Sequence, residues 1–287
     1  MIIHWFPGHM AKAQKMIREQ LKLVDVVIEL RDARIPAASA NPVIDEIVGG
    51  KPRVIVLNKA DLAEPEPTER WLAFFRSGGQ AALAVESIGG GGTKQLVGKA
   101  QEAAAAVLAK LTAKGIRPRA VRAMILGIPN VGKSSLINRL LGTATARTGD
   151  KPGVTRGQQW LKIGKNLELL DTPGVLWPKL EDQDAAFRLA ITGAISDEVY
   201  DREKVVLRLL AFLRQNYPSR LCERFKLEEP LPEEDGELLN RIGARRGCLR
   251  SGGAVDGEKA GRIILSEFRE GKLGRFTLDA PPSERNI

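Results

Sequence analysis

The chain has 287 residues, of which 43% are hydrophobic and 28% are charged, and this composition is typical of a globular protein with one large and one smaller domain. No apolar run reaches the length of a membrane-spanning helix, and the first eight residues lack the basic and apolar regions of a secretion signal. The two cysteines are expected to be reduced thiols, so the sequence predicts a cytoplasmic protein without a membrane or metal-thiolate role.

Short apolar runs alternate with helical patterns over the first 178 residues. A basic amphipathic helix is predicted at 10–23, a long alanine-rich helix at 93–114 with Thr93 as its N-cap, and a third helix at 133–141. Buried strands are predicted at 24–30, 53–57, 81–85 and 121–126, and a hairpin is predicted from 159–163 and 167–170. This alternation predicts a doubly wound α/β sheet.

The pattern becomes helical after this point. Helices are predicted at 184–195, 202–215, 234–246 and 257–268, separated by prolines and glycines. We therefore predict a first domain over residues 1–181 and a helical domain over residues 182–287. A frayed tail is expected to begin at Pro281.

Residues 127–134, called the phosphate loop below, carry the spacing G-x-x-x-x-G-K-S between a predicted strand and a predicted helix, which is the context this motif requires. The two glycines let backbone N–H groups turn toward phosphate oxygens. We expect Lys133 to reach the β- and γ-phosphates and to act in catalysis, and Ser134 to bind Mg²⁺. The nucleotide-binding residues predicted here are Asn130, Val131, Gly132, Lys133, Ser134 and Ser135.

Residues 58–61 (Asn-Lys-Ala-Asp), called the base loop below, follow a predicted strand. A carboxylate at Asp61 can accept hydrogen bonds from guanine N1–H and its amine, and adenine does not offer this pattern. Asn58 is expected to brace the loop and contact the base, and the stem of Lys59 to cover the ring. Ser87, after the next strand, is predicted to direct its backbone N–H to guanine O6. The sequence thus favours GTP and GDP over ATP.

Residues 171–174 (Asp-Thr-Pro-Gly) end a predicted strand downstream of the phosphate loop. Asp171 is expected to hold Mg²⁺ through water, and the N–H of Gly174 to contact the γ-phosphate during catalysis. Thr155, in a segment rich in glycine and proline, is the predicted catalytic switch residue, which completes the Mg²⁺ shell when GTP is bound. Thr148 is the competing candidate.

Val175 occupies the position after Gly174, where Ras-like enzymes carry a glutamine that orients the attacking water. Since valine cannot hydrogen-bond to water, hydrolysis by the protein alone should be slow. His9, after a Pro-Gly turn, is predicted to supply the missing polar group, and the alternative is a structural histidine at a helix start. Asn130 predicts a potassium ion bound beside the phosphates.

The base loop precedes the phosphate loop, whereas Ras-like GTPases have the reverse order. This order predicts a circularly permuted Ras-like P-loop GTPase domain of the α/β class, followed by a small all-α domain. Several further motifs flank the nucleotide motifs, and together they resemble the bacterial ribosome biogenesis GTPase A family. The resemblance covers nearly the whole chain and is carried by residues 5–12, 32–36, 58–61, 127–135, 171–178, 246–249 and 271–274.

The resemblance implies a GTPase that acts late in assembly of the large (50S) ribosomal subunit, with hydrolysis stimulated by the subunit. It also implies that rRNA is a partner, that His9 is the family's proposed catalytic histidine, and that residues 182–280 form an RNA-binding helical domain. We expect a monomer that does not bind DNA. The alternative is an RNA-binding assembly factor in which GTP is mainly structural, and a GTPase of tRNA modification or membrane trafficking is disfavoured.

Charge supports a nucleic-acid partner independently of the resemblance. Residues 94–165 hold 14 basic and two acidic residues, a distribution that favours a phosphate-rich partner over a merely solvated basic helix. Residues 201–287 hold 17 basic and 15 acidic residues, so RNA contacts there would need a local face. Candidates for that face are Arg241, Arg245, Arg246 and Arg250.

Overall fold

The computed structural model describes residues 10–142, 160–170 and 182–282, with side chains described from Gln14 onward. These residues divide into two compact units. The first contains residues 10–142, 160–170 and 276–282, and the second contains residues 182–275. No helix in these ranges is both long and apolar enough to cross a membrane.

A six-stranded sheet forms the centre of the first unit, with strand order β3-β2-β1-β4-β6-β5. Only β5 runs antiparallel to its neighbour among the described strand pairs. The predicted doubly wound α/β class is therefore confirmed in this unit. The strands are β1 Val26–Asp32, β2 Arg53–Asn58, β3 Ala81–Val85, β4 Val121–Gly127, β5 Trp160–Ile163 and β6 Leu167–Leu170.

The central strands are apolar because the sheet is covered on both faces, as parallel sheets require. Every residue of β1 is buried, including the polar residues Glu29 and Asp32. The first-unit helices are α1 Met10–Leu21, α2 Pro42–Val48, α3 Pro65–Ser77, α4 Thr93–Ala113 and α5 Lys133–Leu141, with a 3₁₀ turn at Ala60–Leu62.

The start of α4 differs from the prediction. Gly92, with φ 73°, is the N-cap, and Thr93 is the first helical residue. The hydroxyl of Thr93 donates to the carbonyl oxygen of Gly90 at 2.8 Å instead of accepting from the helix. A side chain at Gly92 would collide with the backbone, because a Cβ there would lie 2.3 Å from the carbonyl oxygen of Ala84.

The second unit is all helical apart from a short bridge between Leu249 and Val255. Aspartates cap three of its helices through their side chains. The first of these helices ends at Ile191, short of the predicted residue 195, and Gly193 follows with φ 81°. The helices are α6 Gln183–Ile191, α7 Arg202–Asn216, α8 Pro218–Phe225, α9 Asp235–Arg245 and α10 Gly257–Arg269.

Residues 276–282, called the C-terminal strap below, belong to the first unit, although the predicted boundary placed them with the helical domain. The N–H of Phe276 donates to the carbonyl oxygen of Leu62 at 3.0 Å, and the N–H of Leu278 donates to that of Arg34 at 2.7 Å. Pro281, where fraying was expected, is buried. The strap is therefore an integral layer of the first unit.

Asp279 anchors the strap most strongly. One of its carboxylate oxygens accepts hydrogen bonds from the N–H groups of Ala37 and Ala38 at 3.0 and 2.9 Å. Its carbonyl oxygen accepts the indole N–H of Trp71 at 3.2 Å. Trp71 itself belongs to the aromatic cluster that α3 packs against the sheet. The strap thus binds both the loop after β1 and the helix α3.

Candidate nucleotide-binding site

The carboxyl ends of the parallel strands bring the two predicted loops together. Asp32 at the end of β1 lies in register with Asn58 at the end of β2, and Leu30 lies in register with Gly127 at the end of β4. Ligands of doubly wound sheets bind at this edge. The reversed order of the loops in sequence therefore does not separate them in space.

The backbone of the phosphate loop is tightly constrained. A Cβ at Gly127 would lie 2.7 Å from the carbonyl oxygen of Leu30, and one at Gly132 would lie 2.3 Å from Asn58 Nδ2. Gly132, with φ 100°, is the N-cap of α5 and supplies no side-chain cap. Because glycine has no side chain, the first N–H groups of α5 receive no side-chain cap from it. This arrangement favours the binding of an anion at the helix N-terminus.

The side chain of Lys133 folds back over its own loop. Its Nζ donates to the carbonyl oxygens of Gly127 and Ile128 at 3.1 and 2.7 Å, and the side chain is buried. Ser134 and Ser135, in the first turn of α5, are half-buried. The loop therefore presents one ammonium and two hydroxyls beside a helix N-terminus.

Two hydrogen bonds join the base loop to the phosphate loop. Asn58 Nδ2 donates to the carbonyl oxygen of Val131 at 2.8 Å, and Lys59 Nζ donates to that of Asn130 at 2.8 Å. Lys59 and Asn130 both adopt positive φ, at 61° and 55°, a conformation that is uncommon outside glycine. The predicted base-reading and phosphate-binding residues thus form one site.

Ser87 approaches the same site but uses its N–H differently from the prediction. Both its N–H and its hydroxyl donate to Asn58 Oδ1, at 3.3 and 2.7 Å. Since Asn58 occupies the N–H of Ser87, that group is not available to a guanine oxygen. The next residue, Ile88, donates its N–H to no described residue and exposes its side chain to 84%. Asp61, in the 3₁₀ turn, is half-buried.

A buried group of charges lies behind the base loop. Asp32 is paired with Arg34 through Oδ1–Nε at 2.9 Å and Oδ2–Nη2 at 2.7 Å. Lys59 Nζ lies 3.1 Å from Asp32 Oδ2. Burial acts to raise the pKa of the Asp32 carboxyl, but the cations of Arg34 and Lys59 outweigh it and hold that pKa well below its usual range. The carboxylate is therefore charged throughout the physiological range.

Sequence reasoning did not assign a role to Asp32 or Arg34. No local spacing predicts the contact between Asp32 and Lys59, because it depends on the register of β1 against β2. The sequence did contain one indication of this proximity. Both strands end in a polar residue, and neighbouring parallel strands bring their carboxyl ends to the same edge of the sheet.

Several predicted site residues lie outside the described residues: His9, Thr148, Thr155, Asp171, Gly174 and Val175. Within the ranges that the structure describes, no group of three or more histidine, cysteine or acidic side chains could hold a metal ion.

The predicted RNA-contacting arginines differ in their surroundings. Arg246 donates to Glu267 at 2.9 Å and lies over the ring of Phe225, so it stabilises the helical unit. Arg241 and Arg250 pair with acidic neighbours. Arg245 is exposed and has no ion pair with any described residue. Arg245 is therefore the member of the set that a partner could engage without breaking an internal pair.

Comparison with known proteins supports the assignment. Residues 122–220 match the family model described as "50S ribosome-binding GTPase". The chain is 52% identical to ribosome biogenesis GTPase A of Bacillus cereus over 98% of its own length and 95% of the relative. It is 51% identical to the protein of that name from Priestia megaterium, over 98% of each chain.

Among solved structures, the chain resembles the GNP-bound YlqF of Thermotoga maritima, with a TM-score of 0.67 and 28% identity. The match covers 94% of this chain and 99% of the solved one. The expected circularly permuted P-loop GTPase fold is therefore confirmed.

Proposed function

Because the chain belongs to the ribosome biogenesis GTPase A family, we propose that this GTP-hydrolysing ribosome assembly factor acts in late maturation of the large (50S) subunit. It binds rRNA in its GTP-bound state and leaves after hydrolysis. Residues 122–220 match a family model whose description names binding to the 50S ribosome, and this description supports the large subunit as the partner.

The observation that carries the nucleotide part is the pair of hydrogen bonds from Asn58 and Lys59 to the phosphate loop. They hold the base loop against the phosphate loop, and this arrangement supports a single site for a guanine nucleotide. Asp61 would pair with the guanine edge, and the stem of Lys59 would cover the ring. Guanine O6 would be met by the N–H of Ile88, since Asn58 engages that of Ser87.

The phosphate half of the site fits a nucleotide bound with Mg²⁺. Lys133 would exchange its two carbonyl partners for the β- and γ-phosphates. The hydroxyl of Ser134, with Thr155 and with Asp171 through water, would hold Mg²⁺, a cation that prefers such oxygen ligands. When bound, Mg²⁺ neutralises charge that develops on the phosphates. Gly174 would contact the γ-phosphate through its N–H.

Hydrolysis should be slow in the free protein because Val175 replaces the water-orienting glutamine. His9 would position the attacking water. Asn130 would help to hold K⁺ beside the phosphates, and equal hydrolysis rates in potassium and sodium buffers would contradict this.

Binding to rRNA is supported by charge. Residues 94–165 hold 14 basic and two acidic residues, and Lys110, Lys114 and Arg117 around the end of α4 are exposed. In the helical unit, Arg245 offers an exposed guanidinium that has no ion pair within the part of the chain that the structure describes. These cations would neutralise rRNA phosphates while the factor acts as a monomer.

Single-turnover GTP hydrolysis measured with and without large ribosomal subunits tests the proposal. We expect the subunits to raise the rate of the parent protein by at least about tenfold, and the His9→Ala variant to lose this stimulation. Absence of stimulation in the parent protein would favour the alternative in which GTP is mainly a structural ligand of an RNA-binding factor.

A further inference from the structure

We infer that Asp32 is a positioning residue of the guanine site, which acts by anchoring the ammonium of Lys59 and so orienting its stem over the base. This inference rests on the assignment of the guanine site proposed above.

The geometry gives Lys59 two anchors on opposite loops. Its Nζ lies 3.1 Å from Asp32 Oδ2 and donates to the carbonyl oxygen of Asn130 at 2.8 Å. The ammonium at the end of the side chain is thus held between β1 and the phosphate loop. A flexible four-carbon stem fixed at both ends loses most of its rotamers, so the surface offered to a base is formed before the base binds.

Asp32 is in turn held in place by its own neighbours. Arg34 binds both carboxylate oxygens, and the N–H of Arg34 donates to Oδ1 at 3.0 Å. The N–H of Asp32 donates to the hydroxyl of Ser39 at 3.0 Å. The Asp32 side chain is 3% exposed. A carboxylate held by this many partners is a fixed point against which Lys59 can be oriented.

Charge balance explains why an acid is needed at this position. The buried group contains two cations, Arg34 and Lys59, and one anion, Asp32. Burial lowers the pKa of the Lys59 ammonium, and the positive charge of Arg34 lowers it further. The carboxylates of Asp32 and Asp61 act in the opposite direction, and Asp32 has the larger effect of the two. Without Asp32, two neighbouring cations would face each other behind the base, and Lys59 would turn toward solvent.

The test uses the full chain and avoids leaving Arg34 buried without a counterion. Arg34→Met alone keeps the pair between Asp32 and Lys59. Asp32→Asn together with Arg34→Met removes the anchor of Lys59 without leaving the guanidinium of Arg34 buried beside a neutral side chain. Dissociation of a fluorescent GDP analogue is measured for both chains. We expect the double variant to release GDP about tenfold faster than Arg34→Met.

The same comparison is repeated in chains that also carry Lys59→Met. If Asp32 acts through Lys59, the difference between the two chains falls below about twofold, as a double-mutant cycle requires. A difference that persists without Lys59 overturns the inference, because Asp32 would then act by another route. Equal dissociation rates in the presence of Lys59, with both chains folded by circular dichroism, overturn it as well.

A pH profile gives a readout that a merely structural role would not change. Asp32 raises the pKa of Lys59, so its removal should move the onset of faster GDP release to lower pH relative to Arg34→Met. Chains with Lys59→Met should lack this shift. If the Arg34→Met chain and the parent fail to bind GDP at all, the proposed guanine site itself is wrong, and this outcome is distinct from failure of the inference.

Discussion

Gly132 shows how one residue ties the two loops together. Its φ of 100° is strained for any side chain, and a Cβ would lie 2.3 Å from Asn58 Nδ2. Asn58 itself is fixed by the carbonyl oxygen of Val131 and by Ser87. The base loop and the phosphate loop therefore meet too closely for any residue larger than glycine at this position.

Gly132→Ala should weaken GDP binding at least about tenfold, because either Asn58 or the loop must move. Gly98→Ala is the matched control. A Cβ at Gly98, inside α4, meets nothing within 4 Å, so alanine there should leave binding unchanged and stabilise the fold by up to about 1 kcal/mol. Titration of a fluorescent GDP analogue and thermal melting measure both effects, and equal binding by the two variants would contradict this reading.

At the residue level, the motif residues of both loops were predictable from spacing, since each carries a distinctive pattern. The hydrogen bond from Ser87 to Asn58 was not predictable from spacing, because a backbone N–H near a base can face either the ligand or a side chain. The contact of Asp32 with Lys59 depends on strand register, which single-sequence patterns leave open.

The elements missed from the sequence share a feature. Helices α2, α3 and α8 begin at Pro42, Pro65 and Pro218, with proline at the first or second helical position. Proline is favoured there because its fixed φ suits a helix start and its missing N–H is not needed. The sequence analysis predicted no helix at any of these three positions, whereas the apolar runs located all six strands.

The C-terminal strap is the element whose removal should be most informative. Asp279→Ala removes the acceptor for the N–H groups of Ala37 and Ala38, so we expect a loss of about 1–3 kcal/mol in the free energy of unfolding. Glu69→Ala, at an exposed position of α3, should change stability by less than about 0.5 kcal/mol. Urea unfolding compares the two, and similar small losses would mean that the strap adds little to stability.

Across the whole molecule, charge is distributed unevenly enough to affect binding. The segment 94–165 holds the whole basic excess of the chain, although the nucleotide site uses only part of it. Contacts with rRNA phosphates release counterions, so their number is read from the dependence of affinity on salt.

Lys114→Glu should weaken binding to rRNA of the large subunit and lower the slope of log affinity against log salt by about 1. Arg76→Glu makes the same charge change at the end of α3, where the residue is exposed and outside the basic segment. The control should retain the parent slope. If both variants lose affinity equally, net charge alone governs binding, and the segment has no special part in it.

The position of the strap bears on how the chain is made. Residues 276–282 are synthesised after the entire helical unit, yet they complete the unit that begins near the N-terminus, with contacts 208 to 242 residues apart. During translation the nucleotide-binding unit must therefore wait for its last layer while about 100 intervening residues emerge, at about 5–20 residues per second. The nucleotide-binding unit should therefore reach its full stability only after residues 276–282 have emerged, so its folding depends on a segment that is made after the whole helical unit.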